Sequence, residues 1–235
     1  MELFAIKLPE SIEYSILLNL MTMVSVEQQF RLRRFRQKED CYRSLLGELL
    51  IKYILFNKRN MPLESIVINR TKYGKPFIKD VNQVQFNISH SGLWVVCAIS
   101  SNEIGIDIEE VRQIDDIDLQ VFCRQFFSKE ETIDLYSKSI TERLQYFFEL
   151  WTIKESFIKA VGTGMYMPVK SFTVRKDDRN IGVIFPTEFS SYRFKQYNIE
   201  HGYVLTMCSQ NPCVFPSKLI TCEFKAIQEF FSSTI

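Results

Sequence analysis

The first long run of apolar residues at helical spacing predicts a helix over 41–54. The spacing leaves Gly47 and Glu48 off the apolar face of this helix. A shorter basic helix precedes it, because Ser25 and the glutamine three residues later have the form of a capping box. The apolar stripe consists of Cys41, Tyr42, Leu45, Leu46, Leu49, Leu50, Tyr53 and Ile54.

A second long helix is predicted from a capping Thr141 to the glycines Gly162 and Gly164 that end it. Each long helix is followed by short apolar or alternating segments that predict strands. This repeated order predicts an α+β fold of two related lobes, residues 1–102 and 103–235. The predicted strands are SIVIN (65–69), QFNIS (85–89), WVVCAIS (94–100), IGIDIE (104–109), SFTVRK (171–176), IGVIF (181–185), YRFKQYNI (192–199) and YVLTMCS (203–209).

Composition narrows the class of protein. A formal net charge of +1 provides no global attraction for nucleic acid, so any anion site must be built locally. Six cysteines form no CxxC pair, which indicates reduced thiols in the cytosol. The sequence contains neither a signal peptide nor an apolar run of about 18 residues, so we expect a soluble cytoplasmic protein without a membrane partner.

Two acids in the segment GIDIE are the most informative short pattern. On a strand, Asp107 and Glu109 share one face while Ile106 and Ile108 share the other. Two neighbouring carboxylates repel each other unless a cation lies between them, which makes a metal site plausible. A solvent-facing strand that carries two acids explains the pattern equally well.

A third acid favours the metal site. Glu155 falls inside the apolar stripe of the second long helix, between Trp151 and Ile158, and burying a bare carboxylate costs on the order of several kcal/mol. A salt bridge to Lys154 or Lys159 is the alternative, but metal or catalytic use is favoured over it. Three carboxylates without a histidine–cysteine cluster suit Mg²⁺, which commonly bridges substrate phosphates.

Donors for an anionic ligand lie near predicted turns. The tetrad Tyr73–Pro76 forms a turn whose amides and Lys75 could bind an anion, although a plain surface turn is the more common meaning of this pattern. His90 lies between Ser89 and Ser91 at a strand end, where the three side chains could hold a phosphate. A lone turn histidine is usually incidental.

Several segments together resemble one family. YGKPFI, FNISHSG, GIDIE, FFSKEE and WTIKESFIKAVGTG, in this order and spacing, resemble the Sfp-type 4′-phosphopantetheinyl transferases. The segment RRFRQKEDCYRSLLGELL is also similar, and the pattern covers most of residues 1–210. The resemblance implies two lobes related by pseudo-twofold symmetry, each a long helix on a small, mainly antiparallel sheet. Coenzyme A and Mg²⁺, or Mn²⁺ in its place, would bind in the cleft between the lobes of a monomer.

The resemblance also implies a reaction and residue roles. The phosphopantetheine arm of coenzyme A passes to a serine of an apo peptidyl or acyl carrier protein, for nonribosomal peptide or antibiotic biosynthesis, leaving adenosine 3′,5′-bisphosphate. Asp107, Glu109 and Glu155 match the metal ligands; Glu155 is also the candidate base, directly or through water, and Lys159 matches a lysine on the phosphates. The matching nucleotide contacts are Arg31 for a phosphate, Arg43, Ser44 and His90 for the 3′-phosphate, and Tyr73, Gly74, Lys75 and Ser89 around the adenine and ribose phosphate.

Three positions qualify the match. Gln28 stands where the family commonly has a basic residue, so either the position is peripheral or coenzyme A binds somewhat more weakly here. Glu131 matches a family acid near the site, but Ser128 makes it part of a capping box, which we favour. Residues 112–140 form an insertion without a counterpart in the first lobe, and about 113–127 is the implied carrier-docking region. Its apolar residues could form a docking strip or pack on the lobe: Leu119, Val121, Phe122 and Phe126.

Two other functions are compatible with the acids. A metal nuclease or phosphodiesterase would use the same D-x-E pattern, but the common nuclease pattern has a lysine where this chain has Val111. A non-catalytic scaffold that binds coenzyme A or a carrier would be favoured by the loss of an acid, and none of the three is missing.

Overall fold

A computed structural model describes residues 1–81, 83–177, 181–184 and 189–233. Its helices are α1 (Tyr14–Met21), α2 (Val26–Leu32), α3 (Lys38–Arg59), α4 (Asp116–Phe126), α5 (Lys129–Ser137), α6 (Ile140–Val161) and α7 (Phe224–Ser232). Its strands are β1 (Glu2–Lys7), β2 (Ile68–Arg70), β3 (Pro76–Ile78), β4 (Gln85–Ser91), β5 (Trp94–Ser100), β6 (Ile104–Glu110), β7 (Thr173–Lys176), β8 (Ile181–Ile184), β9 (Tyr192–Tyr197), β10 (Tyr203–Gln210) and β11 (Ile220–Cys222). The predicted α+β class is confirmed.

Helix α3 packs on a sheet with the strand order β11-β1-β5-β4. Its buried surface is wider than the predicted stripe, because Gly47 and Glu48 are buried as well. A side chain at Gly47 would press on Ile88 of β4, so the missing Cβ lets the helix approach the sheet. Glu48 is buried because Lys52, one turn along, provides its counter-ion at 3.5 Å.

Helix α6 packs on a second sheet with the strand order β6-β10-β9. The contact is close at Gly105, where a Cβ would overlap the backbone carbonyl of Ser156. The helix is buried over most of its circumference, a wider surface than the predicted stripe. The partly exposed side chains of Trp151, Glu155 and Lys159 follow one another at intervals of four residues and therefore lie along one line of the helix.

Strands β4 and β6 join the two sheets through side chains. Asn87 Oδ1 accepts a hydrogen bond of 2.9 Å from the backbone N–H of Ile106. Ser89 Oγ accepts the N–H of Ile108 at 3.3 Å, and two residues further Ser91 accepts the N–H of Glu110 at 3.1 Å. Because alternate residues of a strand share a face, the pattern N-x-S-x-S on β4 pairs with the backbone of β6.

Several predicted boundaries change. The segment 65–69 is a strand only from Ile68, and Ser139, not Thr141, precedes helix α6, because the helix begins at Ile140. The last residue of the predicted strand 181–185 lies outside the described residues. The insertion 112–140 contains α4 and α5. These two helices begin after Asp115 and Ser128, whose side chains accept the N–H of Asp118 and Glu131.

The tail differs from the predicted assignment to the second lobe. Strand β11 pairs in parallel with β1, and α7 packs against α1 and α3. Buried Ile227 and Phe231 place the apolar face of α7 in the core beneath the first sheet. The tail therefore completes the first sheet, although the division at residue 102 otherwise stays a prediction.

All six cysteines lie in the described part of the chain, and each is a free thiol. Among the described residues, no helix is both long and apolar enough to cross a membrane.

Candidate active site

The predicted acids and lysine line one cleft between β4, β6 and α6. A cavity of about 300 Å³ lies there, open to solvent. Strand β6 contributes two carboxylates and α6 contributes the line that begins with Trp151. The lining residues are Ile88, Ser89, His90, Asp107, Glu109, Trp151, Glu155 and Lys159.

Asp107 lies at the centre of the polar contacts and is 3% exposed. Its Oδ1 accepts hydrogen bonds from Lys159 Nζ at 2.6 Å and from Ser89 Oγ at 2.9 Å. Burial raises the pKa of Asp107, and the contact with Lys159 opposes this rise. Its second oxygen, Oδ2, is buried without a hydrogen-bond partner among the described residues, so it is available to a ligand.

The other two acids are close enough to Asp107 to respond to its charge. Burial and then the charge of Asp107 raise the pKa of Glu109, whose Oε2 accepts a hydrogen bond from Ser91 at 2.9 Å. Burial raises the pKa of Glu155 to about 7, with smaller contributions from Asp107 and Glu109, while Lys159 opposes the rise. The three carboxylates thus form one crowded negative site.

Lys159 and His90 are the other ionisable residues that line the cleft. Lys159 Nζ donates to Ser89 Oγ at 2.9 Å as well as to Asp107. Burial alone would lower the pKa of Lys159, but Asp107 and Glu155 together raise it. Burial and then the charges of Lys159 and Arg43 lower the pKa of His90 to about 4, so its imidazole is neutral at pH 7.

These donor atoms fit a divalent cation whose coordination is completed by a bound substrate. Within the described residues, no three histidine, cysteine, aspartate or glutamate side chains form a ready-made metal site. Lys159 lies on one oxygen of Asp107, while the other oxygen is unpartnered. Mg²⁺ is usually bound by one or two carboxylates together with substrate phosphates and water. The unpartnered oxygen and the crowded acids suit such a cation.

A second cavity, of about 250 Å³, adjoins the first through Ile88, Glu155 and Lys159. The turn Tyr73–Pro76 lines it. Lys75 Nζ does not project into solvent, because it donates to the carbonyls of Ala160 at 2.7 Å and Ile104 at 3.3 Å. Lys75 thereby satisfies a carbonyl at the end of α6 and attaches the turn to the second sheet.

The other predicted phosphate contacts surround His90. Arg31 Nη2 lies 3.4 Å from Ser44 Oγ, and both residues line a third cavity with His90. Arg43 lies nearby, and its guanidinium donates to Asp40 at 2.6 Å and to the carbonyl of Gly92 at 2.7 Å. All predicted site residues except Arg43 therefore line one of three adjoining cavities, and their roles stay predictions.

Comparisons with known proteins give the family. A family model described as 4′-phosphopantetheinyl transferase superfamily matches residues 103–208, and one described as 4′-phosphopantetheinyl transferase, N-terminal matches residues 9–102. The chain is 39% identical over 193 residues to the 4′-phosphopantetheinyl transferase Sfp of Bacillus subtilis (strain 168). This alignment covers 82% of this chain and 84% of that protein. It is 41% identical over 208 residues to the 4′-phosphopantetheinyl transferase gsp of Aneurinibacillus migulanus, covering 88% and 85%. The chain belongs to the 4′-phosphopantetheinyl transferase superfamily.

The predicted family and enzyme class are confirmed by these matches. They decide between a transferase and a nuclease in favour of the transferase. The acids, the lysine and the N-x-S-x-S strand described above therefore belong to a phosphopantetheinyl transferase.

The predicted docking region of the transferase forms helix α4. Leu119 is buried in the apolar core around α6, so of its two open interpretations the structure bears out packing and contradicts docking. Phe122 and Phe126 pack their rings against Trp151 at centroid distances of 4.7 and 5.5 Å. Val121 is exposed. Ile117, one turn earlier, is exposed as well, and sequence reasoning had not identified it.

Lys154 of the transferase motif WTIKES pairs with Glu131 rather than with Glu155, so the alternative salt bridge from Glu155 to Lys154 is wrong. Lys154 is fully buried, and its ammonium contacts Glu131 Oε1 at 2.8 Å and the carbonyls of Val169 and Phe172, both at 2.9 Å. The favoured capping role of Glu131 is confirmed, because Ser128 and Glu131 form a reciprocal capping box. Glu131 thus belongs to a buried structural network.

Proposed function

We propose that this transferase moves the 4′-phosphopantetheine group of coenzyme A to a serine of an apo carrier protein. The observation that carries the proposal is the convergence of Asp107, Glu109 and Glu155 with Lys159 in one cleft. Such a site suits a diphosphate, whose negative charge needs a cation and a basic side chain. The two sheets with their long helices suit two lobes related by pseudo-twofold symmetry, in a monomer that contains the whole cleft.

Coenzyme A would occupy the three adjoining cavities. Its diphosphate would lie beside Lys159, and its adenine would lie at the turn that carries Tyr73. The ring of Tyr73 is half exposed and lies 5.1 Å from the ring of Tyr166, which leaves aromatic surface for a base. The nucleotide phosphate would extend toward Arg31, Ser44 and His90.

The chain's own side chains provide charge and proton transfer. The serine oxygen bonds to the phosphorus that carries the pantetheine arm, and the bond from this phosphorus to the bridging oxygen breaks. The bridging oxygen leaves with the electron pair on adenosine 3′,5′-bisphosphate, where the ammonium of Lys159 stabilises its charge. The serine proton passes to Glu155, directly or through water, since this carboxylate lines both the acidic cleft and the neighbouring cavity.

Asp107, Glu109 and Glu155 would hold Mg²⁺, or Mn²⁺ in its place. The ion would neutralise diphosphate charge and orient the reacting groups. Ser89 and Ser91 keep the two acids of β6 in position, because each serine donates to one of these carboxylates.

The carrier would dock on the outer face of α4. Ile117 and Val121 are exposed there, and Arg124 lies on the same helix. These side chains offer apolar contact and a cation to a small acidic carrier. A peptidyl carrier of nonribosomal peptide or antibiotic assembly is the proposed partner, in the cytoplasm.

Mass spectrometry of the carrier tests the proposed reaction. We expect apo-carrier mixed with the protein, coenzyme A and Mg²⁺ to gain the mass of one phosphopantetheine group. Chelation of the metal should stop the gain, and excess Mg²⁺ should restore it, since the acids alone repel the diphosphate. A carrier whose acceptor serine is replaced by alanine is the matched control. An unchanged carrier mass in the complete mixture would contradict the proposal.

A further inference from the structure

The third cavity of the site contains a charged residue to which sequence reasoning gave no role. The cavity has a volume of about 130 Å³ and lies between α2, α3 and the β2–β3 hairpin. It adjoins the acidic cleft, with which it shares Ile88 and His90. The polar residues that line it are Gln28, Arg31, Ser44, Glu48, Arg70 and His90.

Helix α2 brings a single positive charge to this cavity. Gln28 is 7% exposed and has a neutral amide at the position that departs from the family pattern. Arg31, nearly one turn further, is exposed, and Ser44 lies at 3.4 Å from its Nη2. An anion that enters here meets only one cation from α2.

Arg70 brings a second cation from the opposite wall. It ends β2, directly opposite Pro76 of β3. Its Nη1 donates to the carbonyl of Gly74 at 2.9 Å, which fixes the guanidinium on the turn. A guanidinium has five N–H donors, so this bond leaves most of them for a ligand.

The two guanidinium groups are close enough to repel each other. Partial removal from water lowers the pKa of Arg70, and the charge of Arg31 lowers it further, while Glu48 and Glu27 oppose the shift. Glu48 is the one carboxylate among the residues that line the cavity, and Lys52 lies 3.5 Å from it. Two cations therefore face the cavity and share the carboxylate of Glu48 with Lys52, so an anion between the two guanidinium groups would relieve their repulsion.

We propose that Arg70 is a specificity-determining residue that binds, together with Arg31, the 3′-phosphate of coenzyme A. This rests on the proposed function, which puts the diphosphate at Lys159 and leaves the 3′-phosphate as the other anionic group of the substrate. A phosphomonoester has three terminal oxygens, and guanidinium groups on opposite walls can bind different oxygens. The positive charge of the cavity thus comes from β2 and α2 together.

Kinetics with two donors test the proposal. Arg70→Gln should raise KM for coenzyme A about tenfold or more, because it removes a charge-assisted hydrogen bond, and leave kcat nearly unchanged. KM for 3′-dephospho-coenzyme A should be the same for the variant and the wild type. Arg70→Lys should recover part of the loss. Arg34→Gln, an exposed arginine outside the three cavities, is the matched control and should change neither KM.

An equal rise of KM for both donors, or no rise for coenzyme A, would overturn the proposal. An equal rise would mean that Arg70 only holds the turn through Gly74. Calorimetry separates this outcome from failure of the proposed function. If the wild type transfers nothing, Arg70→Gln should still weaken the binding of adenosine 3′,5′-bisphosphate and not that of adenosine 5′-monophosphate. Equal binding of the bisphosphate by both proteins would refute the role of Arg70 on its own.

Discussion

Asp107→Asn is expected to lower kcat for carrier modification by roughly a thousandfold, since several kcal/mol of electrostatic stabilisation are lost. The change removes a charge but keeps the shape of the side chain and the contact with Ser89. It replaces the anionic partner of Lys159 at 2.6 Å by a neutral amide and leaves the cleft with two acids in place of three. Steady-state kinetics with saturating coenzyme A measure the effect.

The matched control is Asp80→Asn, the same replacement on an exposed turn away from the cleft. Asp80 has φ of 60°, a conformation that asparagine tolerates well, so the control should keep both activity and stability. Thermal denaturation shows whether Asp107→Asn still folds. A folded variant with a normal kcat would leave Asp107 without a role in catalysis and would contradict its place in the site.

Glu131→Ala is expected to lower the free energy of unfolding by about 3–5 kcal/mol, because it leaves the buried ammonium of Lys154 uncompensated. The change also leaves two backbone N–H groups without their hydrogen-bond acceptors. Glu131 Oε1 accepts the N–H of Val174 at 2.7 Å, and Oε2 accepts the N–H of Ser128 at 2.7 Å. Urea denaturation followed by circular dichroism measures the change.

Glu130→Ala is the control for this prediction, because Glu130 is the exposed neighbour in the same helical turn. Its loss should leave the free energy of unfolding nearly unchanged. Comparison of the two variants also separates a structural role of Glu131 from a catalytic one. If Glu131→Ala were as stable as Glu130→Ala but inactive, Glu131 would act in the reaction and the structural role would be wrong.

Local patterns were sufficient to predict the elements that carry the acids. The alternation in GIDIE gave the shared face of Asp107 and Glu109, and the strand continues for one residue beyond the prediction. The glycine at 162 correctly ended α6, where it adopts φ of 79°. Spacing of this kind depends only on neighbours in the chain, so the sequence contains it directly.

Contacts between distant segments account for what was missed. Lys75 was interpreted as a potential ligand cation and Lys154 as a potential salt-bridge partner of Glu155, but backbone carbonyls far along the chain bind both of them. Asn87 had no predicted role, because its partner, the N–H of Ile106, lies on another strand. For Leu119 the sequence left docking and packing on the lobe equally open, and only the fold shows that it is buried in the core around α6. Such partners become visible only when the fold brings them together.

The most direct test of whether acids from β6 and α6 share one cation with the diphosphate is Mn²⁺ binding, monitored by electron paramagnetic resonance. We predict that wild-type protein binds Mn²⁺ more tightly when coenzyme A is present, by the reciprocity of linked binding. Asp107→Asn and Glu155→Gln should each abolish this gain. Equal Mn²⁺ affinity in the wild type and both variants, with or without coenzyme A, would contradict the account.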